Sequence, residues 1–139
     1  MNAKIASAAL GLWMCMGLCG IASAKNCKDV TINVKNNFVH AGNTPQIEVV
    51  DLKYWDNTEA KWRNETGVPN VVINNGKTRK IDTRNFEYVG GESGVRVQVQ
   101  YKYMSASSGH WSDLLNAESD AFTCDADGPN TVLVTVTGI

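Results

Sequence analysis

Residues 95–104 (VRVQVQYKYM) constrain this chain more than any other stretch, because Val95, Val97, Val99, Tyr101 and Tyr103 alternate with Arg96, Gln98, Gln100 and Lys102. Alternation at period two puts one set on each side of a pleated strand, so the stretch predicts a strand with one buried and one wet face. A helix would scatter the same valines around its circumference. Residues 27–37 (CKDVTINVKNN) repeat the pattern, with Val30, Ile32 and Val34 on one side and Thr31, Asn33 and Lys35 on the other. Residues 131–137 (TVLVTVT) predict a final strand. Residues 46–55 (QIEVVDLKYW) predict another, on which Val50, Leu52 and Tyr54 share a face and Trp55 falls opposite.

Turn chemistry divides these strands. Residues 40–45 (HAGNTP) read as a loop; residues 56–60 (DNTEA) read as a turn that returns through residues 61–66 (KWRNET) as a hairpin. Asn74-Asn75-Gly76 closes the short apolar run at residues 71–73, and Asn-Gly is a hairpin signal because both residues tolerate positive φ. A strand over residues 77–88 should follow. Residues 90–94 (GGESG) predict a turn, residues 105–109 a loop, residues 112–117 at most one helical turn, residues 121–124 (AFTC) a short strand and residues 125–130 (DADGPN) a turn. Seven or eight short strands separated by such signals predict an all-β chain folded as a small antiparallel β-sandwich.

Residues 1–24 carry the three parts of a secretory signal: a start whose only charged side chain is Lys4, an apolar run of about 17 residues, and the small-x-small end Ala22-Ser23-Ala24. The run reaches only the lower limit of a bilayer span, so cleavage is expected rather than anchoring. Neither Cys15 after Met14 nor Cys19 after Leu18 follows the small residue that lipidation requires. Cleavage leaves residues 25–139 as one domain with Cys27 and Cys124 as its sole cysteines, hence a single intramolecular pairing in an oxidising, secreted or periplasmic setting. Lys4 is the one charge lost, leaving 12 basic against 14 acidic residues, well mixed and without a Lys/Arg block. That distribution argues against nucleic acid as the main partner.

The chemistry-bearing residues are few. The two histidines, His40 and His110, fall in predicted loops. Residues 109–113 (GHWSD) contain a base, a hydroxyl and a carboxylate, but neighbours in sequence do not converge in space as a triad does. His110 and Asp113 are therefore the best of a poor set of catalytic candidates, and no enzymatic activity is expected. Two histidines and two bonded cysteines supply a zinc site poorly. Asp125 and Asp127 before Gly128 suggest a calcium loop but lack its remaining ligands, so a turn is expected, with no metal or cofactor. Asn64-Glu65-Thr66 is a formal glycosylation acceptor.

The aromatic hairpin remains. Tyr54, Trp55, Lys61, Trp62 and Arg63 put three large rings and two cations around one turn, and Trp111 beside His110 adds a ring in a loop. Aromatic rings beside cations are the material of binding hot spots, although tryptophans in small sandwiches also serve the core. The expected function is an exported binding protein without catalysis, an inhibitor or immunity-type molecule acting on a protein partner. The alternative is a lipid- or membrane-binding module. In layout, though in no motif aligned residue by residue, the chain is loosely similar to the aegerolysin family of lipid-binding cytolysins.

Overall fold

A computed structural model describes residues 25–138, and the expected signal segment with Cys15 and Cys19 lies outside them. Eight strands follow in order: β1 (Lys25–Asn37), β2 (Ile47–Asp56), β3 (Lys61–Asn64), β4 (Val71–Ile73), β5 (Thr78–Gly90), β6 (Val97–Tyr103), β7 (Leu115–Glu118) and β8 (Asn130–Thr137). They form two packed sheets. One has the order β5-β1-β8; the other has the order β3-β2-β6-β7, with β4 beside β3 along the same edge of β2. Every pairing is antiparallel except β1 with β8, which run parallel. The all-β sandwich expected from the alternation is what forms.

The inner faces carry the apolar halves of the alternating strands. Val30, Ile32 and Val34 of β1, Val97, Val99 and Tyr101 of β6, and Val132, Val134 and Val136 of β8 are buried together. Phe86 of β5 stacks on Tyr54 of β2, ring centroids 4.4 Å apart and planes 11° apart, joining the two sheets through one aromatic pair. Truncating Phe86 to alanine belongs to the class of core deletions that cost about 3–5 kcal/mol.

Two bulges decide which residues face inward. On β2 the pairing with β6 slips between Val49 and Asp51. Ile47 and Val49 are buried before the slip, Leu52, Tyr54 and Asp56 after it, and Val50 is only half-buried. Val50 therefore does not share the core face expected of it. Without the extra residue, the parity of Ile47 and Val49 would carry Asp51, Lys53 and Trp55 into the core; the bulge keeps the apolar set inside. On β1 the slip falls between Cys27 and Val30, where Asp29 takes a positive φ of 49° and donates its N–H to Asn85 Oδ1 at 2.9 Å. That break lets Cys27 join the face of Val30 despite the odd spacing.

The Cys27–Cys124 disulfide forms as expected, with Cα atoms 5.7 Å apart and both residues fully buried. Its place differs from the expected closing hairpin: Cys124 lies in a loop, and β8 returns alongside β1 in parallel. Three local expectations are also corrected. The turn at Asn74-Asn75-Gly76 forms, with Lys77 N–H donating to Asn74 O at 3.1 Å, yet it passes the chain from β4 in one sheet to β5 in the other. A turn signal specifies reversal, not which neighbour receives the next strand. The corner is held instead by buried Asn36, whose amide donates to Pro45 O and Ile73 O while its Oδ1 accepts the Phe38 N–H. Residues 112–117 make no helical turn, because Leu115–Glu118 pairs with β6 as β7. Residues 121–124 make no strand, only a single bridge from Phe122 to Val95.

Candidate aromatic binding face

The β2–β3 hairpin forms, but Asp56, expected in the turn, belongs to β2 and lies opposite Lys61, which sets Trp55 opposite Trp62 and Tyr54 opposite Arg63. The pleat then separates the expected binding residues into two groups. Trp55 and Trp62 meet edge-to-face on the outer side of the sheet, centroids 5.4 Å apart at 64°. Cross-strand aromatic pairs of this geometry stabilise a sheet modestly and present large rigid surfaces. Arg96, just before β6, lays its guanidinium 5.3 Å from the Trp55 ring and 5.4 Å from the Trp62 ring. Its Nη1 donates to Glu118 Oε2 of β7 at 3.0 Å, and Gln98 Nε2 donates to Glu118 Oε1 at 3.0 Å. Four strands thus contribute to one assembled patch. At its rim, Trp55 Nε1 donates to Asn57 Oδ1 at 3.4 Å, and Asn57 N–H donates to Glu92 Oε2 at 3.2 Å.

The hairpin's other group works inside the fold. Tyr54 is 3 % exposed, and its hydroxyl both donates to Glu87 O at 3.2 Å and accepts Glu87 N–H at 3.1 Å. Asp56, 1 % exposed, accepts Arg63 Nε at 2.7 Å through Oδ2 and Glu59 N–H at 2.9 Å through Oδ1. Arg63 also sits 4.5 Å over the Tyr88 ring. Lys61 pairs with exposed Glu59. Tyr54 and Arg63 therefore hold the hairpin in place, and the Trp pair presents the surface.

Burial, reinforced by the charge of Glu65, pushes the Tyr54 hydroxyl up to about 12 from its ordinary value of 10.0. A group whose folded value is raised contributes stability that is complete below the unfolded value and lost as pH rises through the folded one. Urea unfolding measured between about pH 9 and about pH 12 should therefore show this group lowering stability by about 2 kcal/mol in that window. Tyr54→Phe should flatten part of the fall while costing about 1–2 kcal/mol at neutral pH through the unpaired Glu87 backbone.

His110 and Trp111 lie elsewhere. Trp111 bridges Met104 beyond the far end of β6, where Tyr103 pairs with Ile47, whereas Trp55 adjoins the strand's first residues. His110 is exposed and joins the loop through its carbonyl, which accepts Ser105 N–H at 2.9 Å. The Ser112 hydroxyl accepts Tyr103 N–H at 3.0 Å and donates to Asp113 O at 2.8 Å, so backbone groups occupy it. His40 lines a separate small cleft of about 140 Å³ with Tyr103 and Met104. At residues 125–130 Asp125 Oδ1 accepts the Asp127 N–H at 2.9 Å, an ordinary turn bond. Among the described residues no three His, Cys, Asp or Glu side chains cluster as a metal site.

The candidate face contains two residues that sequence reasoning left aside, Arg96 and Glu118. Their outward parity was legible for Arg96; their meeting with the hairpin depends on β6 lying between β2 and β7. Fold and face together define a disulfide-closed β-sandwich with an assembled Trp–Trp–Arg patch on its larger sheet. No protein-family model, curated protein or solved structure matches the chain.

Proposed function

We propose that this is an exported, non-enzymatic binding protein of the inhibitor or immunity type, which engages a protein partner through the outer face carrying Trp55, Trp62 and Arg96. The observation that carries the proposal is the prior assembly of that patch. The rings and guanidinium hold one another, Glu118 fixes the guanidinium from a neighbouring strand, and none of these side chains belongs to the core. Tryptophan and arginine dominate interface hot spots, and side chains already ordered in the free protein lose less entropy on binding. Export is supported by the signal-like residues 1–24 and by the disulfide, which persists in an oxidising compartment. A protein partner is favoured over a lipid surface because the exposed large apolar residues, Val39, Val72, Tyr88, Leu114 and Leu133, sit on five different segments.

The test is chemical crosslinking in the host's exported fraction, with the oxidised protein as bait beside its Trp55→Ala/Trp62→Ala variant. The wild type should capture a discrete partner, and the purified pair should weaken at least tenfold with the variant, whose melting curve stays cooperative. Equal capture by both baits would remove the face from the interface. Binding of the wild type to anionic phospholipid vesicles at low salt, with no protein captured, would replace the protein partner by a membrane.

A further inference from the structure

β3 lies at an edge of the larger sheet and β5 at an edge of the smaller one. Between them runs a groove of about 510 Å³, a volume typical of ligand sites. Trp62, Arg63, Asn64 and Thr66 line it from the β3 side, Asn85 and Glu87 from β5. Its frame is fixed. Arg63 Nε donates to Asp56 Oδ2 at 2.7 Å, and the Tyr54 hydroxyl closes on the Glu87 backbone. Arg84 of β5 ties down the segment after β3, donating to Glu65 Oε2 at 3.1 Å, Thr66 O at 2.6 Å and Gly67 O at 2.9 Å.

The side chains on this frame keep unused hydrogen-bonding capacity. Asn85 Oδ1 accepts the Asp29 N–H at 2.9 Å, which orients the amide. Asn64, Thr66 and Glu87 are exposed, and Thr66 and Glu87 give the frame only backbone atoms. Among the described residues no protein hydrogen bond takes up the Asn64 amide, the Thr66 hydroxyl, the Asn85 Nδ2 or the Glu87 carboxylate. β5 also bulges at this groove. Phe86 pairs with Cys27 and Gly90 with Lys25, so Glu87, Tyr88 and Val89 together answer Asn26. Tyr88 there takes a positive φ of 69°, a costly conformation for a bulky side chain. Its ring is 49 % exposed and borders the groove at Arg63, whose guanidinium lies 4.5 Å from the ring centroid. Bulges and retained strain of this kind re-aim side chains at functional sites.

The chemistry of the walls selects the ligand. Lys61 and Arg63 face Glu65 and Glu87 as two cations against two carboxylates, and all but Glu87 already have ion-pair partners. A ligand of either net charge would meet a like charge. An apolar ligand would strip water from the amides and carboxylates without replacing their hydrogen bonds. A neutral polyol avoids both costs, because each hydroxyl both donates and accepts. A sugar ring adds a C–H face that suits an aromatic side chain. We propose that the groove between β3 and β5 binds a neutral oligosaccharide. Asn64, Thr66, Asn85 and Glu87 hydrogen-bond its hydroxyls, and Trp62 and Tyr88 supply the aromatic contacts. The site does not depend on a protein partner at the Trp55–Trp62–Arg96 face.

Isothermal titration of the oxidised protein with maltotriose, cellotriose and triacetylchitotriose, each to about 10 mM, tests the proposal. At least one should bind with a dissociation constant below about 1 mM, whereas trigalacturonate, of similar size but anionic, should bind at least about tenfold more weakly. Asn64→Ala/Glu87→Ala, at two exposed positions, should melt like wild type and weaken the bound trisaccharide about tenfold. Tyr88→Asn, which suits a positive φ, should stay folded and weaken it in the same direction. No binding of any neutral trisaccharide overturns the proposal. So does tighter binding of trigalacturonate, or an affinity that Asn64→Ala/Glu87→Ala leaves unchanged.

Discussion

Replacing both Cys27 and Cys124 by alanine is expected to lower stability by about 4 kcal/mol and the melting temperature by on the order of 15 °C. The bond spans 97 residues, so its loss restores to the unfolded chain the freedom of a loop nearly as long as the domain. The effect should reach the binding face as well. Cys124 accepts Gly91 N–H and donates its own N–H to Glu92 O, both at 2.8 Å, and Glu92 in turn receives Asn57 N–H beside Trp55. Calorimetry of the oxidised protein and the double variant checks the first part; partner affinity at a temperature where both are folded checks the second. Equal melting temperatures would mean that the bond constrains nothing the rest of the fold does not already hold.

Asp56→Ala is the second large loss expected, about 3 kcal/mol, because it removes the buried acceptor of a hydrogen-bonded ion pair and leaves Arg63 and the Glu59 N–H without it. Asp56→Asn, which retains one acceptor oxygen and the volume, should lose about half as much. Burial by itself pushes the Asp56 carboxyl up, but the Glu59 N–H and the Arg63 guanidinium outweigh it and hold the group below its ordinary value of 3.8. A carboxylate lowered in the folded state contributes stability that is present above its unfolded value and lost as pH falls through the folded one. The gap between wild type and Asp56→Ala should therefore narrow from about pH 7 to about pH 2. Urea titrations at both ends of that range read it directly. A constant gap would assign the cost to packing alone.

The binding face makes clear which kinds of information a linear chain carries. That Trp55 points away from Tyr54 follows from the pleat, and that the chain reverses as a hairpin here follows from the turn residues between Asp56 and Lys61. Both depend on residues a few places apart. Arg96 reaches the same patch across about 40 positions of chain, and Glu118 across about 60, by way of strand order. Trp111, an equal candidate in composition, was carried to the opposite end of β6 by the same ordering. Strand order is a property of the packed sheets, and no local periodicity encodes it.

The same division runs through the whole fold. Alternation in β1, β6 and β8 determined the all-β class and the inward sets, because side-chain direction in a strand is a two-residue property. The two cysteines determined their own pairing, since no rival remained once residues 1–24 were set apart. Tertiary structure alone decided the bulges at Asp29 and Val50, the parallel return of β8 beside β1, the strand at Leu115–Glu118 and the corner after Asn74-Asn75-Gly76. Each of these is settled by competition between distant segments for one core and for the same backbone partners, a contest in which a residue's neighbours in sequence have no deciding vote.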